Sequence, residues 1–133
     1  MSVLLDTHVW VWWLTGAPGL PASTRRALNA EATRALPFLS AISLWEAQML
    51  VAKGRIRPHD RFDRWLRDMS APDVVRVLPL DAEVVIALND LPASFHGDPA
   101  DRIIVATARA HRLPLATRDR TIRRSRVATL WAG

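Results

Sequence analysis

The residues with the clearest capacity for chemistry are four acidic side chains at the ends of apolar segments. Asp6 directly follows a short apolar segment that is typical of a buried strand, and Asp119 follows another after one intervening residue, Arg118. Glu46 and Asp101 each stand near the start of a helical stripe that faces the core. In a parallel sheet covered by helices, such positions lie at the edge where ligands bind. The four carboxylates are therefore predicted to share one site.

Carboxylates gathered in this way favour a metal ion between them. Two carboxylates about 4 Å apart repel each other by roughly 4 kcal/mol at a surface-like effective dielectric, and a bound cation removes that repulsion. The chain contains no cysteine, which excludes a thiolate zinc site and a disulfide framework. Carboxylate oxygens select hard ions, so the predicted cofactor is Mg²⁺ or Mn²⁺.

Each acid also has an ordinary structural explanation as a helix cap. Asp6 fits the N-cap of the helix that follows it, and for this residue taken alone capping is the favoured interpretation. Asp119 fits the N-cap of a short C-terminal helix. Glu46 stands three residues after Ser43, which predicts a capping box with Ser43 at the N-cap. Only the four positions taken together indicate a site.

The segment Asp98-Pro99-Ala100-Asp101 holds two acids with different predicted roles. Asp98 is expected to cap a helix, because Pro99 suits the first helical position. Asp101 then occupies the third position and shares a face with apolar residues one turn later. It is predicted to point inward, with Asp98 as an auxiliary acid beside it.

Polar neighbours of these acids could support the chemistry. Thr7 and Thr117 could hold a metal-bound water, although capping of the backbone is the favoured role. His8 could act as a general acid or base, or be a partly buried helix residue, which is favoured. Arginines near Asp101 and Asp119 could bind phosphates, with a solvated helix face as the equal alternative; they are Arg102, Arg118, Arg120, Arg123, Arg124 and Arg126.

Apolar periodicity predicts alternating strands and helices along the chain. Strands are predicted at residues 3–5, 36–41, 74–78, 113–117 and 127–130. Helices are predicted at residues 8–14, 21–32, 43–53, 60–69, 81–89, 99–112 and 121–124. This alternation indicates an α/β fold with a mostly parallel central sheet and helices on both faces.

Length and composition favour one globular domain covering residues 1–133. The net charge is +5, and Lys53 is the only lysine. Arginine pairs bidentately with phosphate, so this excess permits a nucleic-acid partner; a genome that favours arginine and alanine codons explains it equally well. No apolar stretch is long enough for a transmembrane helix, so a cytoplasmic protein that does not bind membranes is expected.

The first helix is apolar all round. It contains Trp10, Trp12 and Trp13 together with three aliphatic residues. Because one sheet cannot cover every side of a helix, part of this surface is predicted to meet a partner chain. A contact with a second copy or a groove for another protein is favoured over stacking on bases.

Four blocks of sequence resemble the PIN-domain ribonucleases and, within them, the VapC toxins of type II toxin–antitoxin pairs. The blocks, whose order and spacing match the family, are Leu4-Leu5-Asp6-Thr7-His8, Ser40-Ala41-Ile42-Ser43-Leu44-Trp45-Glu46, His96-Gly97-Asp98-Pro99-Ala100-Asp101-Arg102 and Thr117-Arg118-Asp119. The likeness runs from Val3 to about Trp131. One departure is Gly97, where similar proteins often carry arginine.

This resemblance implies a Rossmann-like PIN fold, a three-layer sandwich that is usually dimeric and cleaves RNA. The family's acidic quartet falls on Asp6, Glu46, Asp101 and Asp119. The resemblance also implies a small VapB-type antitoxin whose tail occupies the active-site groove.

The mechanism expected on this basis is hydrolysis by a metal-activated water, leaving a 5′-phosphate and a 3′-hydroxyl. Asp6 and Asp101 are expected to bind the metal directly, and Glu46 and Asp119 directly or through water. A haloacid-dehalogenase-like phosphotransferase is disfavoured, because its second aspartate would stand where this chain has His8. The remaining alternative is a non-catalytic PIN-like module that binds protein.

Overall fold

The computed structural model describes residues 2–95 and 97–133. The strands are β1 (Leu4–Leu5), β2 (Phe38–Ser40), β3 (Arg76–Leu78) and β4 (Leu115–Ala116). The helices are α1 (Thr7–Thr15), α2 (Ala22–Arg34), α3 (Ala41–Ala52), α4 (Phe62–Met69), α5 (Ala82–Asn89), α6 (Pro99–His111) and α7 (Arg120–Ser125). Within the described ranges, no helix is long and apolar enough to cross a membrane.

The four strands form one parallel sheet in the order β3-β2-β1-β4. Strand β1 lies inside the sheet, where Leu5 is in register with Leu39 of β2 and Ala116 of β4. Its two residues are fully buried, as a short, continuously apolar strand requires. The predicted parallel α/β architecture is confirmed.

Helices cover both faces of the sheet and create two hydrophobic cores. Successive side chains of a strand point to opposite faces, so Leu5 enters one core and Leu4 the other. The first core includes Leu28 of α2 and Trp65 of α4. The second includes Ile104 of α6 and residues of α5 and α7. The three-layer sandwich is therefore as predicted.

The strand predicted at residues 127–130 is wrong. Only Leu130 forms a bridge, to Leu115. The Leu115 N–H donates to the Thr129 carbonyl at 2.8 Å, and the Trp131 N–H donates to the Leu115 carbonyl at 2.9 Å. Because β4 is only two residues long, the C-terminal segment cannot form a longer run of strand hydrogen bonds with it.

Helix α1 is covered in part by other helices of its own chain. Trp10 is fully buried, and its indole Nε1 donates to the Met69 carbonyl at 2.8 Å. Trp13 is partly buried and donates through Nε1 to Asn29 of α2 at 2.8 Å. Helices α2 and α4 thus cover part of α1 beyond the sheet, but Trp12, Trp13 and Leu14 stay partly exposed, so part of this surface is available to a partner, as predicted.

Candidate active site: an acidic cavity

An acidic cavity of about 300 Å³ opens at the carboxyl edge of the sheet. It is lined by Asp6, His8, Trp12, Glu46, Asp98, Asp101, Arg118 and Asp119. The acids that the sequence singled out thus lie around one space, although they come from four separate parts of the chain. They meet because the ends of parallel strands and the starts of the following helices share one edge of the sheet.

Asp6 is both a helix cap and a wall of the cavity. It is the N-cap of α1, and its Oδ1 accepts the Thr7 N–H at 2.9 Å. Its Oδ2 accepts the Thr117 hydroxyl at 2.7 Å. The side chain is only 4% exposed. Because a carboxylate offers about four lone-pair sites, these two bonds leave acceptor capacity directed at the cavity.

The Thr117 hydroxyl joins two of the acidic segments. Besides donating to Asp6, it accepts the Asp119 N–H at 3.0 Å. Asp119 in turn caps α7, where its Oδ1 accepts the Ile122 N–H at 2.9 Å. The register of β1 with β4 places Asp6 beside Thr117, one residue beyond the pair Leu5 and Ala116. Thr117 therefore positions two acids, in addition to its predicted contact with backbone.

The capping box predicted for Glu46 is wrong. Helix α3 begins at Ala41, and its N-cap is Ser40, whose hydroxyl accepts the Ile42 N–H at 3.2 Å. Strand β2 leads straight into α3 without a loop, so the cap falls on the last strand residue. Glu46 instead lies in the second turn, half-buried at the cavity.

Ser43 is a buried link between helices that the sequence analysis assigned to the wrong role. Its hydroxyl lies 2.8 Å from the Thr7 hydroxyl, and both residues are fully buried. This contact ties the start of α1, and hence Asp6, to the turn of α3 that carries Glu46. The hydroxyl of Thr7 thus bonds to a side chain; it is not a backbone cap as favoured from sequence.

The start of α6 agrees with the prediction from its sequence. Asp98 is the N-cap, and its Oδ1 accepts the Asp101 N–H at 2.8 Å, with Pro99 at the first helical position. Carboxylate oxygens of Glu46, Asp98 and Asp101 all lie within 4.8 Å of one another. This acidic cluster is able to bind a metal ion.

Two acids of the cavity hold their protons more tightly than usual. Burial raises the pKa of Asp6 from 3.8 to about 6, with a smaller contribution from Glu46 and opposition from its hydrogen bonds to Thr117 and Thr7. Burial also raises the pKa of Asp101 to about 8, and the charges of its acidic neighbours, Asp6 first, add to the effect. The cavity therefore concentrates negative charge that a divalent cation would neutralise.

Three other side chains shape the rim. His8 is exposed rather than partly buried, and its ring lies 5.5 Å from that of Trp12 at an angle of 53°. Trp12 was not predicted as a site residue. The indication available in the sequence is its place one helical turn after His8. Arg118 is exposed and also lines the cavity.

Two more of the candidate phosphate-binding arginines, Arg102 and Arg120, do not line the acidic cavity. Arg102 donates through Nη1 to the Phe95 carbonyl at 2.8 Å and lines a separate cavity between α5 and α6. Arg120 is exposed at the first position of α7.

Gly97 is explained by close packing. A Cβ atom at this position would lie 2.6 Å from Cζ of Phe95, whose ring is buried. An arginine there would require the aromatic ring to move. His96, which belongs to the same sequence block, lies outside the described residues.

Comparisons with known proteins agree with this geometry. A family model described as PIN domain matches residues 3–127. Ribonuclease VapC22 of Mycobacterium tuberculosis is 35% identical over 133 residues, which cover 98% of each chain.

Solved structures share the fold at lower identity. A crystal structure of VapBC2 from Rickettsia felis, bound to a promoter DNA fragment, superposes with a TM-score of 0.72 at 18% identity, covering 98% of each chain. A toxin–antitoxin complex from Klebsiella pneumoniae gives a TM-score of 0.64 at 22% identity over 96% of each chain. From the family match and the identity to VapC22, the chain belongs to the PIN-domain family and, within it, to the VapC ribonucleases.

Proposed function

We propose that this protein is a Mg²⁺- or Mn²⁺-dependent endoribonuclease, the toxin of a VapBC-type toxin–antitoxin pair. The observation that carries the proposal is the convergence of five carboxylates on one cavity, together with the raised pKa values of Asp6 and Asp101. The 35% identity to a protein named Ribonuclease VapC22 supports the reaction class. The proposed setting is the cytoplasm, with one PIN domain covering residues 1–133.

The proposed ligands use oxygens that the fold leaves available. Asp6 and Asp101 are the direct ligands, and Glu46 and Asp119 bind directly or through water. Oδ1 of Asp98 accepts a hydrogen bond as the cap of α6, which leaves Oδ2 for an auxiliary role beside Glu46 and Asp101. Only oxygen donors line this cluster, and such a set fits a hard divalent ion.

Each part of the chain has a defined task in the reaction. A bound divalent ion supplies positive charge for the scissile phosphate and lowers the pKa of the attacking water. Thr117 holds the Asp6 carboxylate in a fixed orientation, and the contact of Thr7 with Ser43 fixes α1 against α3. Because water attacks rather than the ribose 2′-hydroxyl, the expected products carry a 5′-phosphate and a 3′-hydroxyl.

Basic and aromatic groups are proposed to orient the RNA. Arg118 lines the cavity and can neutralise a phosphate beside the cleaved bond. Trp12 offers an aromatic surface at the same rim, suited to contact with a base. Arg120 and Arg102 are proposed to bind more distant phosphates.

The proposed protein partners are a VapB-type antitoxin and a second copy of this chain. Similarity to solved toxin–antitoxin complexes supports the antitoxin. Trp45, which is 49% exposed next to Glu46, provides an apolar contact beside the cavity. Val85 and Ile86, which are 48% and 55% exposed on α5, provide a separate apolar surface for the homodimer.

A cleavage assay with acid variants tests the proposal. Purified protein is incubated with end-labelled tRNA and mRNA in Mn²⁺, in Mg²⁺ or in EDTA. Cleavage is expected only with a divalent ion, and Asp6→Asn and Asp101→Asn should each reduce it at least a hundredfold. Asp68→Asn, an exposed acid on α4, is the matched control and should cleave normally. A 2′,3′-cyclic phosphate at the new end would contradict the mechanism.

The alternative, a non-catalytic protein-binding module, has one structural observation in its favour. Asp6, Asp98 and Asp119 are all N-caps, a role that requires no chemistry. Asparagine caps a helix as well as aspartate does, so Asp6→Asn should keep its cap, and Asp101→Asn alters no cap because Asp98 caps α6. Folded wild-type protein that cuts no RNA with either ion, but binds antitoxin, would establish the alternative.

A further inference from the structure

A second cavity, of about 470 Å³, lies at the edge of the sheet opposite the acidic cavity. It is formed where α6 ends and β4 begins, and Arg109, Arg112 and Arg126 line it. Helix α6 contains thirteen residues and carries Asp101 in its first turn. At about 1.5 Å per residue, its two ends lie ~20 Å apart. Arg109 and Arg112 follow Asp101 by eight and eleven residues, which places them roughly 12 to 16 Å from it along the helix.

This arginine cavity carries a net positive charge. Among the described residues that line it there is no acid. Arg112 and Arg126 are the C-caps of α6 and α7, and each helix end contributes about −0.5 charge. Three guanidinium groups against two helix ends leave a charge of about +2.

The arginines are placed there at a cost in backbone energy. Arg112 and Arg126 have φ angles of 52° and 57°, in the left-handed region that glycine or asparagine adopts more easily. Helix α1 ends in this conformation with Gly16. An arginine in that position costs about 1 kcal/mol relative to glycine. Glycine or asparagine at both positions would give the folded state a lower backbone energy.

One of the three guanidinium groups is already held in place. Nη1 of Arg109 donates to the Val127 carbonyl at 3.0 Å, which orients its remaining donors. The five donors of a guanidinium suit phosphate oxygens, which they can bind in pairs. An oriented, uncompensated group of this kind fits an anion that arrives from outside the chain.

Helix α7 connects this cavity to the acidic one. It begins after Asp119, which lines the acidic cavity, and ends at Arg126, which lines the arginine cavity. Between them it carries three exposed arginines, namely Arg120, Arg123 and Arg124. A basic path of this length matches an extended polyanion better than a single small anion.

We propose that the arginine cavity is an exosite that binds phosphates of the RNA strand roughly 10 to 16 Å away from the acids of the proposed cleavage site. Arg109, Arg112 and Arg126 hold the backbone by charge and hydrogen bonding, without reading bases. This inference rests on the proposed function in that the ligand is the substrate RNA. Its binding step is independent of cleavage.

The test is RNA binding by the double variant Arg112→Asn and Arg126→Asn. Asparagine tolerates the left-handed conformation, so the variant should fold at least as well as the wild type. The matched control, Arg26→Gln and Arg64→Gln, removes the same charge from exposed positions on α2 and α4, which cover the other face of the sheet. The probe is a fluorescein-labelled single-stranded RNA of 30 nucleotides, titrated in EDTA at several salt concentrations.

The cavity variant should bind the RNA about tenfold more weakly at low salt, and its log–log salt slope should fall by about 1.4, the value for two lost contacts to a single strand. The control should change the Kd less than twofold. Equal changes in the two variants would overturn the exosite. The exosite would also be overturned if the cavity variant bound RNA with an unchanged Kd but had lost binding to ATP or inorganic phosphate. The same holds if its Kd for RNA were unchanged and it had lost binding to the antitoxin.

Cleavage kinetics separate this inference from the proposed function. In Mn²⁺, the cavity variant should show a KM for the same RNA raised about tenfold with kcat unchanged. If wild-type protein cuts no RNA, the proposed function fails, and the binding titration still decides the exosite. If the wild type cuts normally and the cavity variant matches it in Kd and KM, the exosite fails alone.

Discussion

Replacement of Asp101 by asparagine should stabilise the metal-free protein at neutral pH while it abolishes cleavage. The pKa of Asp101 is raised from 3.8 to about 8, so the folded state binds this proton more tightly than the unfolded state does. The contribution of the Asp101 proton to the free energy of unfolding is therefore fully present below pH 3.8, and it is lost as the pH rises towards 8. Asparagine has no proton to lose, so this loss disappears.

The magnitude follows from the pKa and the exposure of the side chain. Neutral pH lies about three tenfold steps above the ordinary pKa, and each step is worth ~1.4 kcal/mol, for a maximum near 4 kcal/mol. Asp101 is partly exposed, and solvent screening should halve this, to about 2 kcal/mol. For a chain of this length, the expected rise in Tm is roughly 5 to 10 °C.

Thermal unfolding in EDTA at pH 4.5 and pH 7.5 measures the effect. Asp101→Asn should unfold at a higher temperature than the wild type at pH 7.5, and the difference should nearly vanish at pH 4.5. Asp68→Asn, the exposed control, should match the wild type at both values. Mn²⁺ should raise the Tm of the wild type at pH 7.5 and raise that of Asp101→Asn much less.

One result would refute the electrostatic reasoning. If Asp101→Asn lowered the Tm by the same amount at both pH values, the carboxylate would be making a contact that the fold needs. The negative charge of Asp101 would then not destabilise the folded protein, so a metal ion would have no such destabilisation to relieve. The raised pKa would have no consequence for the free energy of unfolding.

Three further substitutions test how the cavity is held together. Thr117→Val should destabilise the fold by about 1–3 kcal/mol and lower kcat, because the Asp6 carboxylate loses its hydroxyl donor; Thr117→Ser should restore both in urea unfolding and kinetics. Gly19→Ala should cost about 1–3 kcal/mol in urea unfolding, because its Cβ would lie 2.7 Å from Cε2 of Trp12, and normal stability would show that the indole can move away. Ser43→Ala should cost about 1–2 kcal/mol, because it leaves a buried threonine hydroxyl at the start of α1 without its partner; removing both hydroxyls should cost less than the single losses combined.

The architecture could be predicted because its local patterns agree with its long-range order. Short apolar strands between amphipathic helices indicate a parallel sheet, and that topology alone brings the acids to one edge. The start of α6 was predictable in detail, because Pro99 defines the first helical position. Asp98 before it is then the N-cap, and Asp101 after it lies in the first turn.

The errors arose where tertiary structure decides the local arrangement. Strand β2 passes into α3 without a loop, so no turn residue marked the cap at Ser40, and Ser43 was placed three positions too early in its helix. The bond from Thr117 to Asp6 depends on the register of strands whose residues lie 111 positions apart. The partial covering of α1 depends on α2 and α4. Periodicity within one segment contains no information on such contacts.

The choice between cap and ligand, which each acid posed in the sequence, is not exclusive in this fold. Asp6, Asp98 and Asp119 each stand just before a helix, and each gives one oxygen to a backbone N–H of the first turn. A carboxylate has a second oxygen, and the three helix starts lie at one sheet edge around one cavity. In Asp6 the second oxygen also accepts the Thr117 hydroxyl, but a carboxylate offers about four lone-pair sites, so all three acids keep acceptor capacity there. Capping therefore orients the acids and leaves their negative charge in place. Capping does not require that charge, whereas the proposed chemistry does. Asparagine retains the cap and removes the charge, so a substitution at Asp98 or Asp119 separates the two roles within one folded protein.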